Sequence, residues 1–97
     1  MSATGTSPHQ AAFSPERAWR LNPQVALRDE SFGALAYHYG NRRLVFLKSR
    51  LLVTLVSSLA DYSSASEALA ARVPEASRPA YERALARLAA SEVIDAR

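Results

Sequence analysis

The sequence predicts an α+β domain of the winged-helix-like type, in which a three-stranded antiparallel sheet is followed by three helices. The apolar residues alternate with a period of two between Gln24 and Leu47 and change to a period of 3.6 from Ser49 onward. Gly40-Asn41 separates two strand-like runs, and both residues tolerate the positive φ of tight turns, so this pair indicates a hairpin. The 97 residues allow one domain with a single core.

The predicted strands cover residues 24–28, 32–39 and 42–47. Trp19, the one tryptophan, is expected to attach the first strand to the core. In the second strand, Tyr37 and Tyr39 share one face, and His38 points the other way. We expect His38 to face solvent or a partner, because a lone histidine on a strand has no partner for catalysis or metal binding.

Helix starts are indicated by serines. Ser49 is the expected N-cap of the first helix, Ser64 and Glu67 have capping-box spacing for the second, and Ser77 is expected to cap the third. Pro74 is expected to close the second helix. Beyond the third helix, the apolar pair at residues 93–94 is expected to fold back onto the core.

The first 17 residues are small, polar and interrupted by two prolines, which is typical of a flexible tail. We therefore assign residues 1–17 to a tail and residues 18–97 to the domain. The chain shows no apolar run long enough for a membrane span, and its start does not resemble a secretory signal. With no cysteine, it fits a reducing cytoplasm.

Side chains suited to catalysis are sparse. The two histidines, His9 and His38, lie in no nucleophile–base motif, and the three glycines are scattered rather than grouped in a phosphate-binding loop. The absence of cysteine removes thiolate metal sites and thiol nucleophiles. The sequence therefore predicts a non-enzymatic protein with no catalytic residues, no metal and no cofactor.

One segment, Arg42–Arg50, carries four cations around a strongly β-prone centre. In a sheet of three strands this third strand lies at an edge, where unpaired main-chain groups can accept an additional strand. An extended acidic peptide is the ligand that such an edge predicts. The candidate peptide-binding residues on this strand are Arg43, Leu44, Val45, Phe46 and Leu47.

The third helix is the expected second side of the binding site. About five added hydrogen bonds at about 1 kcal/mol each give less than the roughly 8 kcal/mol that micromolar binding needs, once the peptide has been ordered. Apolar contacts and charge pairing must supply the difference. The helix offers both, and its candidate residues are Arg78, Tyr81, Arg83, Leu85, Arg87 and Leu88. The alternative is that these arginines are ordinary solvated side chains.

The stretch Trp19–Tyr37 (WRLNPQVALRDESFGALAY), together with Arg43–Leu47 (RLVFL), resembles the mycofactocin biosynthesis chaperones. These proteins are similar to the pyrroloquinoline quinone peptide chaperones, and both groups are RiPP recognition elements. The resemblance implies binding of the leader of a ribosomally made precursor peptide and its delivery to a radical SAM maturase. It also implies that the leader lies as an extra strand between the third strand and the third helix.

Two other functions fit the same residues. A winged-helix regulator that binds DNA would suit the fold and the net charge of +3, although the third helix lacks the Asn or Gln side chains that commonly read bases. A regulatory adaptor that binds a folded protein would also suit a basic surface. We expect no membrane and no nucleic acid among the partners.

Overall fold

The computed structural model describes residues 12–97. Most of the predicted tail, including His9, lies outside the described residues. The elements in chain order are β1 (Trp19–Leu21), β2 (Val25–Glu30), β3 (Gly33–His38), β4 (Leu44–Leu47), α1 (Arg50–Ser58), α2 (Ala65–Arg72), α3 (Arg78–Ala90) and β5 (Ile94–Ala96). Strands β2, β3 and β4 form an antiparallel sheet in that order. This sheet and the three helices confirm the predicted α+β class.

Two short strands were missed by the sequence pattern. β1 and β5 pair antiparallel, with Trp19 opposite Ala96 and Arg20 opposite Asp95. Each has three residues, too few for an alternating pattern to be recognised. Trp19 is fully buried as predicted, and its ring N–H donates to the carbonyl of Ser14. The residues predicted to fold back at 93–94 are buried too, and Ile94 begins β5.

The chain before β1 lies against the domain. The ring of Phe13 packs 5.2 Å from that of Trp19, centroid to centroid. The carbonyl groups of Pro15 and Arg17 accept hydrogen bonds from the first turn of α2. These contacts begin N-terminal to residue 18, where the sequence places the start of the domain.

The main sheet has one covered face and one open face. Ala34, Ala36 and Leu47 are buried on the covered face, which packs against α1 and the core. The opposite face carries Leu35 and Tyr37 of β3, with which Phe46 and Leu44 of β4 are in register. We call this second surface the open face.

The β3–β4 hairpin forms as predicted, but its positive φ is at a different residue. Arg42 has φ 64°, whereas neither Gly40 nor Asn41 has a positive φ. The N–H of Arg42 donates to the carbonyl of His38 at 2.7 Å, and the side-chain oxygen of Asn41 accepts from the N–H of Arg43. The turn is thus longer than a two-residue hairpin, and the left-handed residue comes at its end.

His38 is buried, so the prediction that it faces solvent or a partner is wrong. Its Nδ1 accepts hydrogen bonds from the N–H groups of Gly40 and Asn41, at 3.0 and 3.1 Å. Burying a polar ring is acceptable when it is hydrogen-bonded. His38 therefore organises the hairpin from inside.

The helix starts follow the sequence at two of three serines. Ser49 accepts from the N–H of Leu52, and Ser64 accepts from the N–H of Glu67, as N-caps do. Ser77 makes no such bond, so this prediction is wrong. A 3-10 turn over Glu75–Ser77 runs directly into α3, and the helical backbone at Ser77 leaves its side chain without the geometry of a cap.

Gly33 allows β3 to begin close to the end of β4. Its φ is 149°, and a Cβ atom there would overlap the carbonyl oxygen of Leu47 and approach the backbone nitrogen of Ser49. Only glycine fits this close approach. The absence of a side chain at Gly33 therefore lets the connection from β4 to α1 lie directly against the sheet.

Candidate peptide-binding groove

β4 is the edge strand next to the helices. Its main-chain N–H and C=O groups point alternately toward β3 and toward the unpaired edge. The N–H of His38 donates to the carbonyl of Arg43 at 3.0 Å, so this pair is hydrogen-bonded. Hydrogen-bonded and non-hydrogen-bonded pairs alternate along an antiparallel ladder. The main-chain groups of Val45 and Leu47 therefore face β3, whereas those of Leu44 and Phe46 face the unpaired edge.

A groove of about 370 Å³ lies between the end of β4 and α3. This volume is within the range of known ligand sites. Leu52 of α1 and Ala84 of α3 are buried beneath it. The residues that line the groove are Phe46, Lys48, Ser49, Leu52, Ala80, Tyr81, Ala84 and Arg87.

A hydrogen bond joins the two sides of the groove. The hydroxyl oxygens of Ser49 and Tyr81 lie 2.7 Å apart, and Ser49 also caps α1. The bond links the β4–α1 connection to the first half of α3. The position of α3 relative to the edge strand is therefore set by a specific polar contact as well as by packing.

The groove is basic. Lys48 lies on the strand side, Arg87 lies on the helix side, and both are exposed. None of the eight lining residues carries a carboxylate. Cations on both sides with an apolar floor between them favour a ligand that has acidic and apolar side chains.

The structure brings together only part of the residues predicted from sequence. Phe46, Tyr81 and Arg87 line the groove, whereas Leu44 and Val45 lie along the edge strand and Arg43 is exposed at its start. The side chains of three further candidates are buried in the core and are not available to a ligand: Leu47, Leu85 and Leu88.

Two of the predicted arginines lie elsewhere. The guanidinium group of Arg78 donates to the carbonyls of Val73 and Ala70, at 2.9 and 3.1 Å, and so closes the connection between α2 and α3. Arg83 is exposed and does not line the groove.

Five lining residues were missed by sequence reasoning: Lys48, Ser49, Leu52, Ala80 and Ala84. Ala80 and Ala84 are four residues apart, so they share one face of α3. A pair of small residues at this spacing leaves room beside a helix, and this was the available signal. Lys48 belongs to the basic segment that the sequence did indicate.

Comparison with known proteins identifies the family of the chain. Residues 18–95 match the family model described as the peptide chaperone MftB family. The chain belongs to this family. The match confirms the resemblance to the mycofactocin biosynthesis chaperones, and it covers both sides of the groove.

Curated members of the MftB family are similar over most of their length. The peptide chaperone MftB of Mycobacterium tuberculosis is 47% identical over 83 residues, which cover 84% of this chain and 76% of the relative. Those of Mycobacterium ulcerans and Mycolicibacterium smegmatis are each 48% identical, over 86% and 88% of this chain and 77% and 84% of the relatives. No solved structure matches the chain at a significant level. Among residues 12–97, no helix is long and apolar enough to span a bilayer.

Proposed function

We propose that this chain is a peptide chaperone of mycofactocin synthesis that binds the leader of a ribosomally made precursor peptide and delivers it to a radical SAM maturase. Its family and the names of its relatives support the chaperone role. The leader adds as a strand to the unpaired edge of β4 and contacts α3 across the groove. The protein itself performs no chemical step and binds no cofactor.

The unpaired edge of β4 beside a basic groove is the observation that carries this proposal. Leu44 and Phe46 each direct one N–H and one C=O outward, so an added strand gains up to four main-chain hydrogen bonds. At about 1 kcal/mol each they contribute about 4 kcal/mol. This is about half of what micromolar binding requires.

The groove supplies the remaining affinity. Apolar leader side chains that enter it contact Phe46, Leu52 and Ala84, and acidic ones approach Lys48 and Arg87. A fully buried leucine-sized side chain contributes about 1.5–3 kcal/mol. Ordering the peptide costs about 2–5 kcal/mol, so two or three such anchors, together with charge pairing, bring the total into the micromolar range.

Amide hydrogen exchange measured by NMR, with and without the precursor peptide, tests the binding mode. We expect the amides of Leu44 and Phe46 to exchange quickly in the free protein and slowly in the complex. The amides of Val45 and Leu47 are bonded to β3 and serve as internal controls that are protected in both states. Unchanged exchange at Leu44 and Phe46 on saturation with peptide would contradict strand addition.

A titration distinguishes the chaperone from the DNA-binding alternative. We expect the precursor peptide to bind with micromolar or better affinity and duplex DNA to bind weakly at physiological salt. Sub-micromolar binding of DNA with a steep dependence on salt would instead identify a nucleic-acid-binding protein.

A further inference from the structure

The exposed large apolar side chains are concentrated on one surface. Among residues 12–97, four such side chains are exposed, with exposed fractions of 42% for Phe32, 62% for Tyr39, 61% for Leu44 and 60% for Phe46. Leu44 and Phe46 lie on the open face by their register with Tyr37 and Leu35. Phe32 and Tyr39 lie there as well, because their rings contact those of Phe46 and Tyr37.

The aromatic rings of the open face are packed against one another. Phe32 and Phe46 make an edge-to-face contact with their centroids 5.7 Å apart, and Tyr37 and Tyr39 make another at 5.1 Å. These are favourable geometries for aromatic pairs. One ring pair therefore lies toward each end of the sheet, and the apolar residues Leu35 and Leu44 lie on the same face. An exposed apolar surface of this kind is characteristic of a protein-binding site.

The charge at the border of this surface is positive. Arg42 lies at the tip of the hairpin and Lys48 follows the end of β4, and both are exposed. The main sheet contains two carboxylates. Glu30 lies on the open face, where it is paired with Arg28 at 3.2 Å, so these two charges offset each other; Asp29 is in register with buried Ala34 on the other face.

The charge pattern distinguishes between two occupants. A second copy of this chain would bring the same cations against each other around an apolar contact, and like charges at an interface are unfavourable. A partner whose apolar surface is surrounded by carboxylates would pair with these cations. The observations therefore favour a different, acidic-edged protein over a self-association surface.

Phe46 connects the open face to the groove. Phe46 lines the groove, its main chain faces the unpaired edge, and its ring contacts Phe32 on the open face. A protein docked on the open face would lie directly beside a peptide bound at β4. This is the position required of an enzyme that receives the peptide.

We propose that the open face is the docking surface for the maturase, which contacts it through an apolar patch edged by carboxylates. The proposal rests on the chaperone function above, because that function supplies the receiving enzyme. It extends the function by assigning peptide binding to the edge of the sheet and enzyme binding to its face. The two partners then meet along β4.

Separate titrations with the maturase and with the precursor peptide test this assignment. The variants are Tyr39→Asp, which changes the open face outside the groove, and Arg42→Glu, which reverses a charge at the border of that face. Ala71→Asp, on the exposed side of α2, is the matched control for an added charge. We expect each open-face variant to lower maturase affinity by about tenfold or more, with peptide affinity within about twofold of wild type. The control should change neither affinity.

Three outcomes would overturn the docking surface. These are maturase affinity unchanged in the open-face variants, no binding of maturase by the wild-type chain, and equal loss of maturase affinity in Ala71→Asp. A concentration-dependent dimer that Tyr39→Asp abolishes, measured by analytical ultracentrifugation, would assign the face to a second copy instead. The two proposals can also fail separately. If the wild-type chain binds no peptide but binds the maturase, and the open-face variants lose maturase binding, the docking surface is supported and the leader-binding function is rejected. Circular dichroism of each variant establishes that it is folded.

Discussion

The hydroxyl groups of Ser49 and Tyr81 lie 2.7 Å apart and join the start of α1 to α3 across the groove. Ser49 also accepts the hydrogen bond from Leu52 that caps α1. One side chain thus fixes a helix start and the spacing between the edge strand and α3. The groove depends on this pair for its shape.

Removing the two hydroxyls one at a time should separate the two roles of Ser49. Tyr81→Phe removes only the bond across the groove, and we expect it to lower the free energy of unfolding by about 1 kcal/mol. Ser49→Ala removes the cap as well and should cost about 1–2 kcal/mol. In a double-mutant cycle by urea denaturation, the two changes should be non-additive, because both delete the same bond. Additive losses would show that the two hydroxyls act independently.

Proline at Phe46 should weaken peptide binding without unfolding the protein. The N–H of Phe46 faces the unpaired edge, so Phe46→Pro removes a donor for the added strand but no bond to β3. Relative to Phe46→Ala, which also lacks the ring, we expect about fivefold weaker binding, the equivalent of one hydrogen bond of about 1 kcal/mol. Isothermal titration calorimetry with the precursor peptide measures the difference.

Val45→Pro is the matched change on the other side of the strand. Its N–H faces β3, so the substitution removes a bond of the sheet and should lower the melting temperature clearly. If Phe46→Pro binds peptide as well as Phe46→Ala does, the leader does not pair with β4.

Charge reversal should separate two arginines of α3. Arg87 lines the groove and Arg83 does not, although both are exposed. We expect Arg87→Glu to weaken binding of an acidic leader by about tenfold, as for a charge close to the ligand, and Arg83→Glu to have a smaller effect. The loss should shrink at high salt, because screening weakens exposed charge pairs. Equal effects of both changes would indicate long-range attraction rather than contact in the groove.

His38→Ala should destabilise the hairpin that carries β4. The substitution leaves the N–H groups of Gly40 and Asn41 without their acceptor and opens a cavity in the core. We expect a loss of about 2–4 kcal/mol in the free energy of unfolding. Tyr39→Ser, at the exposed neighbouring position, should change stability little. A stable His38→Ala variant would mean that the turn does not need the ring.

The sheet and helices could be predicted from sequence because their signals are local. The alternation along β3 and the serine before α1 each report on a few neighbouring residues. β1 and β5 could not be predicted, since their pairing joins Trp19 to Ala96 across the chain and neither strand is long enough to show a pattern.

The groove was predicted less completely for a similar reason. Hydrophobic periodicity identified Leu85 and Leu88 as members of an apolar stripe on the third helix. It cannot distinguish stripe residues that are buried in the core from stripe residues that line a groove at its surface. Burial places both in the core and leaves Ala80 and Ala84 at the groove. His38 was misjudged because its partners are backbone amides of the turn and the side chains of Asn22 and Glu92, which are distant in sequence, and no local pattern reveals such contacts.

The alternating main chain of β4 also has a consequence for the sequence of its ligand. In a strand added beside Leu44 and Phe46, successive side chains point to opposite faces, and only one set can enter the groove. We therefore expect the leader to tolerate substitution at every second position of the bound segment. The precursor peptides that this chaperone accepts should share side-chain types at alternate positions of the bound segment, whereas the positions between them should vary.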